Sequence, residues 1–334
     1  MALKIGLALG GGAARGMAHL GLIEVLEKKG IKIDLVAGTS MGALVGSLYC
    51  IEGSILGVME NALAFLKSPE FKNAKIHRLY RENNAEEGKA FQSFSHYIQR
   101  GRVIASTVTR SSALNVEDLY ELLGFFVDDR DIANLKIPFR AIATDLVAGR
   151  QVVIDKGPVI DAVAASSAVP GAFPPIKIGD RLCVDGGIIN MVPVTEVLNM
   201  GADYVIAANV IHDLPLPGDS MKALEIYFRS HQITKLALTD QHLCFADAVL
   251  SPDVGKYHWA DFSQFEKCIE AGREAAESFA DKILKDIKRL RRMPRFLRRK
   301  TGATLYRKVI QKQNASKLPV LYNREKGRGE NNGR

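Results

Sequence analysis

The pentapeptide Gly38-Thr39-Ser40-Met41-Gly42 constrains this chain more than any other stretch. A run with strand character, Ile33 to Ala37, precedes it. Ala43, Leu44, Val45, Leu48 and Tyr49 follow it in a pattern that predicts a buried helix. Gly-x-Ser-x-Gly between a strand and a helix is the turn that lifts a serine above the edge of a parallel sheet. So sharp a turn leaves no room for side chains beside the serine, and glycine stands on both sides. The positive end of the helix faces the serine oxygen, where negative charge builds during acyl transfer. The alternative is an ordinary loop, which the same residue types also fill.

The neighbouring elements favour the turn. Ile5, Leu7 and Leu9 alternate along a first strand, and a loop follows from Gly10 to Gly16. A helix then runs to about Lys29, with Leu20, Ile23 and Leu26 on one face and Gly30 as its stop. This βαβα order predicts an α/β fold with a parallel sheet. Further strands are expected at 139–144, 151–154 and 204–210, and helices at 118–126, 159–165, 193–199, 221–236 and 262–290. Gly179-Asp180 reads as a hairpin turn between strands at 176–178 and 182–184. Residues 52–110 read as a helical insertion or lid, where apolar positions mix with charged ones.

A length of 334 residues fits one large α/β domain or two average ones. The cysteines, Cys50, Cys183, Cys244 and Cys268, stand singly in apolar surroundings, and no Cys/His pattern has metal-ligand spacing. They read as reduced core residues of a reducing compartment. The first residues read as a strand and its loop rather than a signal peptide, and no apolar run reaches bilayer-spanning length.

The Gly10–Gly16 loop opens a helix after a strand, as a dinucleotide fingerprint does, but Ala13 or Arg15 falls where that fingerprint needs glycine. The phosphate-loop pattern with its lysine is absent as well. Two readings remain: backbone N–H groups that form an oxyanion hole, or a purely structural glycine loop. A nucleophilic serine needs a base. None of the seven histidines stands in a telling context. Asp185-Gly186-Gly187 is the better candidate, since its carboxylate emerges from the apolar Leu182-Cys183-Val184, and desolvation makes a carboxylate a more competent base. An ordinary Asp-Gly turn is the alternative.

Taken together, the glycine loop, Gly-Thr-Ser-Met-Gly and Asp-Gly-Gly resemble the patatin-like phospholipase family. Its bacterial members related to the neuropathy target esterase catalytic domain are the most similar. Arg15-Gly16-Met17-Ala18-His19-Leu20-Gly21, Ala143-Thr144-Asp145-Leu146, Ala165 to Pro170 and Asp185 to Asn190 carry the likeness further, over roughly residues 4–215. The resemblance implies a three-layer α/β/α domain at 1–280 and a Ser-Asp dyad, with Ser40 as nucleophile and Asp185 as base. It also implies oxyanion donors at Gly11, Gly12 and Ala13, with Arg15 anchoring the loop or adding positive charge. No metal or cofactor is implied. The substrate expected is a phospholipid or another acyl ester. Ala13 replaces the family's usual third glycine, so a positive φ there would be strained. Asn190-Met191 replaces an asparagine pair, which leaves Asn190 as a support of the Asp185 loop.

The net charge of +8 is concentrated at one end: residues 285–334 hold 17 Lys and Arg against 3 Asp and Glu. Ile283, Leu284, Ile287, Leu290 and Leu297 recur there at helical spacing among basic residues, and Pro294 should break the helix. One reading of this 281–334 extension is a helix lying in an anionic lipid interface, which would place the protein peripherally at a cytoplasmic membrane face. The other packs the apolar stripe on the protein's own core. No nucleic-acid motif accompanies the charges, so no nucleic acid is expected. The last residues, from about 321, read as disordered.

Overall fold

The computed structural model describes residues 2–73, 112–211, 214, 221–255 and 261–294. Its centre is an eight-stranded sheet. The strands are β1 Ile5–Leu9, β2 Leu35–Thr39, β3 Phe139–Asp145, β4 Arg150–Ile154, β5 Ile176–Ile178, β6 Arg181–Asp185, β7 Tyr204–Ala208 and β8 Ala248–Leu250. Hydrogen-bonded neighbours run β5-β6-β3-β2-β1-β7-β8, with β4 also on β3. The five strands β3, β2, β1, β7 and β8 are mutually parallel, and β4, β5 and β6 pair antiparallel.

The helices among the described residues are α1 Ala18–Lys28, α2 Met41–Glu52, α3 Ile55–Lys67, α4 Pro69–Asn73, α5 Val116–Gly124, α6 Val159–Ser167, α7 Val194–Asn199, α8 Ala223–Leu243 and α9 Phe265–Arg292. The central strands are buried on both faces and read as continuous apolar runs, as parallel strands do. Alternate residues serve two separate cores. Leu7, Leu9, Val36 and Ile206 pack with α1, α2 and α9; Ala8, Leu35, Ala37 and Val205 pack with Val194, Val197 and Leu198 of α7. Helices therefore cover both faces, and the expected mostly parallel α/β/α arrangement is present.

The C-terminal helix is part of this body. Carbons added at Gly21 of α1 and Gly272 of α9 would come within 2.0 Å of Ile269 O and 1.9 Å of Ala18 O, so the two helices touch backbone to backbone. Arg273 Nε donates to Glu24 Oε2 at 2.7 Å across the same contact. α9 runs unbroken through residue 280, where the extension was expected to begin. Ile283, Ile287 and Leu290 are buried in the main core, while Lys285, Lys288, Arg289, Arg291 and Arg292 face water. As far as Leu290, then, the stripe that matched a lipid-surface helix is taken by the protein's own core. Leu297 and the charges beyond Pro294 lie outside the described residues. Of the expected 52–110 insertion, residues 53–73 carry α3 and α4; 74–111 lie outside the described residues. Cys50, Cys183 and Cys268 are buried thiols, but Cys244 is exposed rather than in the core.

Candidate active site

Ser40 follows β2 directly and caps α2 with φ 54° and ψ −123°. Ser40 and Ala13 are the two non-glycine residues with positive φ among the described residues. Such a backbone costs on the order of 1–3 kcal/mol and persists only where its surroundings enforce it. Here they do. A carbon added at Gly38 would lie 2.2 Å from Gly42 O, and one at Gly42 would lie 2.2 Å from Leu9 O. Only a pair of glycines lets the strand, the turn and β1 approach this closely. The Ser40 N–H donates to Ser166 Oγ at 2.9 Å, and that hydroxyl donates to Ile142 O at 2.6 Å. Thr39 Oγ1 donates to Asn190 O at 2.9 Å.

Asp185 reaches the same place from the opposite direction. A strand has two edges, and β4 occupies one edge of β3 along residues 141–145. β2 and β6 must therefore share the other edge. Thr39 pairs with Ile142, and the next position, Ala143, pairs with Asp185. The carboxyl ends of β2 and β6 thus meet head-on, and Ser40 and Asp185 occupy the junction. Both are nearly enclosed, at 8% and 7% exposure. The Gly187 N–H donates to Asp185 Oδ1 at 2.7 Å, and Thr144 Oγ1 donates to Asp185 O at 3.1 Å. Burial raises the Asp185 pKa above the usual carboxylate value; the charge of Lys235, a hydrogen bond from Ser40 and the Gly187 amide pull the other way.

The glycine loop lies against the serine. A carbon added at Gly11 would stand 3.2 Å from Ser40 Cβ. Buried His19 donates from Nε2 to Gly10 O at 2.7 Å, and burial lowers its pKa to about 4, so it holds the loop as a neutral ring. The three expected amide donors are not equivalent. The Gly11 N–H already donates to Met191 O at 3.0 Å, which corrects its place in the donor set. Gly11 instead supplies the close approach to the serine. Ala13 does adopt the strained positive φ, at 46°. Arg15 is half-buried, and burial lowers its pKa.

Asn190 supports the Asp185 loop through Nδ2, which donates to Gln151 Oε1 at 2.8 Å, and through its N–H on Gly186 O at 2.9 Å. Two residues were not singled out by the sequence. Ser166 fixes the Ser40 amide, and its signal was present in the Ala165–Pro170 stretch. Lys235 is half-buried on α8; burial lowers its pKa, while the charge of Asp185 raises it. Among the described residues, no group of His, Cys, Asp or Glu gathers as a metal site requires.

The family model described as patatin-like phospholipase matches residues 7–198, the span holding the loop, Ser40, Ser166 and Asp185. This chain belongs to the patatin-like phospholipase family. An uncharacterized NTE family protein of Mycobacterium tuberculosis is 30% identical over 207 residues, which are 62% of this chain and 49% of that protein. Lysophospholipase NTE1 of Mycosarcoma maydis is 32% identical over 209 residues, 62% of this chain and 10% of its own length. Patatin-like phospholipase domain-containing protein 6 of Homo sapiens is 27% identical over 80% of this chain and 20% of its own. The chain therefore spans about half the length of the mycobacterial relative and much less of the others. Among solved structures, VipD of Legionella pneumophila aligns at a TM-score of 0.47 and 13% identity over 84% of this chain and 67% of its own, too distant to add to the assignment. α8 and α9 lie beyond the patatin-like span, so no family motif announces Lys235. Among the described residues no helix is long and apolar enough to cross a membrane.

Proposed function

We propose that this patatin-like chain is a serine lipid acyl hydrolase of the phospholipase A or lysophospholipase type. The observation that carries the reading is the head-on junction of β2 and β6, which brings a strained serine and a buried carboxylate together beside the glycine loop. Ser40 is the nucleophile and Asp185 the base. Asp185 accepts the Ser40 proton as the oxygen attacks the ester carbonyl. The tetrahedral oxyanion is held by the Gly12 and Ala13 amides and by the positive end of α2. Collapse releases the alcohol or lysolipid, which takes the proton from Asp185. Water, deprotonated by Asp185, then attacks the acyl-enzyme, and the fatty acid leaves as Ser40 recovers its proton. Loss of one oxyanion donor typically costs about a hundredfold or more in rate.

The family and the names of its relatives support this substrate class. The partner surface this implies is an anionic bilayer, with the basic residues of α9 and beyond as one point of attraction. Hydrolysis of a short-chain chromogenic ester tests the reading. Activity in the wild type, lost in both Ser40→Ala and Asp185→Asn, is the expected result. An inactive, folded wild type would instead mark a binding module that keeps the fold, and transfer to an added alcohol in preference to water would mark an acyltransferase.

A further inference from the structure

β3 does not stop where β2 does. β2 ends opposite Ile142, while β3 continues to Asp145 with β4 on one edge and β6 on the other. β5 adds to β6. These segments form an antiparallel tongue that projects past the serine turn. Its far end is closed by the Leu146 N–H, which donates to Leu182 O at 2.9 Å. Leu182 stands three residues before Asp185, so the tip lies about 10 Å beyond the reacting groups at the usual rise per residue.

That tip is apolar and exposed. Val147 is 80% exposed, Leu146 49% and Leu182 39%. The turn is nonetheless held in shape. The buried Asp145 carboxylate accepts from the Val147 and Ala148 N–H groups at 2.9 and 3.2 Å, and Gly149 closes the turn with φ 62°. Arg150, Lys177 and Arg181 are exposed around these side chains, against one exposed carboxylate, Asp180. Among the described residues no ion pair engages the three cations. Isolated exposed apolar residues are ordinary. Three on one rigid projection, ringed by unpaired cations, mark an interaction surface.

We propose that this tip docks the protein on an anionic phospholipid bilayer, with Leu146, Val147 and Leu182 entering the headgroup–acyl boundary and Arg150, Lys177 and Arg181 on the headgroups. The inference rests on the acyl-hydrolase reading for its purpose, though not for its measurement. Charge decides the occupant: a second copy of the chain would bring like charges together, whereas anionic headgroups complement them. Length agrees as well. Interfacial side chains enter the boundary by about 5–10 Å, which nearly matches the projection. A docked tip therefore sets the Ser40–Asp185 junction close to the depth at which lipid esters lie.

The test uses the full chain, vesicles of phosphatidylcholine with or without phosphatidylglycerol, and a soluble short-chain ester. Leu146→Ser with Val147→Ser should weaken anionic-vesicle binding about tenfold or more, with an unchanged melting temperature and an unchanged rate on the soluble ester. Arg150→Glu with Arg181→Glu should abolish the preference for anionic over neutral vesicles. Unaltered vesicle binding in both folded variants would overturn the proposal. So would a wild-type dimer that the serine variant dissociates, since the tip would then be a self-association face. If the wild type hydrolyses no ester, the acyl-hydrolase reading falls, and vesicle binding still decides the docking surface.

Discussion

The serine edge of the sheet and the C-terminal helix are built on opposite terms. At the edge, Ser40 and Ala13 hold positive φ, and a carboxylate and a lysine are taken out of water, burial working against the charge of each. In α9, Ile283, Ile287 and Leu290 sit in the core, and the basic residues between them are solvated. One region stores strain, and the other buries apolar surface without it. The contrast teaches where each kind of free energy resides: the helix supplies stability that offsets the strain of the edge. Substitutions at the edge should therefore cost chemistry with little loss of stability, and substitutions in the helix should do the reverse.

The largest effect tests the first half. Ser40→Ala should lower kcat on a soluble ester by about a thousandfold or more, with the melting temperature retained; a comparable loss of melting temperature would break the contrast. Ile287→Ala tests the second half. It should cost about 2–5 kcal/mol of stability in denaturant unfolding, while the folded fraction keeps its kcat.

Lys235→Gln has a smaller effect and a defined sign. As the proposed base, Asp185 must be ionised to accept the serine proton, so activity should fall as pH falls through its pKa. Burial raises that pKa, while Lys235, Ser40 and the Gly187 amide lower it. Removing the lysine charge should move the acid limb of kcat/KM to higher pH. A limb that stays in place would show that Lys235 does not act on Asp185. The smallest effect sharpens the contrast most. Ala13→Gly relieves a left-handed backbone and should leave stability unchanged or raise it by up to about 1 kcal/mol. Ala276→Gly, the same change within α9, should cost about 1 kcal/mol or more.

The two regions also differ in how far the sequence announced them. Gly38, Ser40 and Gly42 define a backbone conformation that few arrangements satisfy, so the strand, the turn and α2 were legible from local residue types. The head-on meeting of β2 and β6 was not, because pairing across the sheet depends on where β3 continues past its neighbour. The engagement of the Gly11 amide by Met191 O escaped for the same reason: backbone partners far apart in sequence leave no local pattern. Lys235 carries no signal at all, since a lysine on a mostly exposed helix looks solvated until the helix is laid over the site. The stripe of α9 was visible but left its partner open, because a lipid surface and a protein core both accept an apolar face. The short β8 was missed because three residues give no measurable alternation and, unlike β5, it has no hairpin turn beside it to mark it.

The most direct measurement is covalent trapping. A long-chain fluorophosphonate reacts with an activated serine, and mass spectrometry of the digested protein locates the adduct. The account predicts a single adduct on the peptide that contains Ser40, formed far more slowly in Asp185→Asn. An adduct on another residue, or labelling of Ser40 at the same rate without the Asp185 carboxylate, would contradict it.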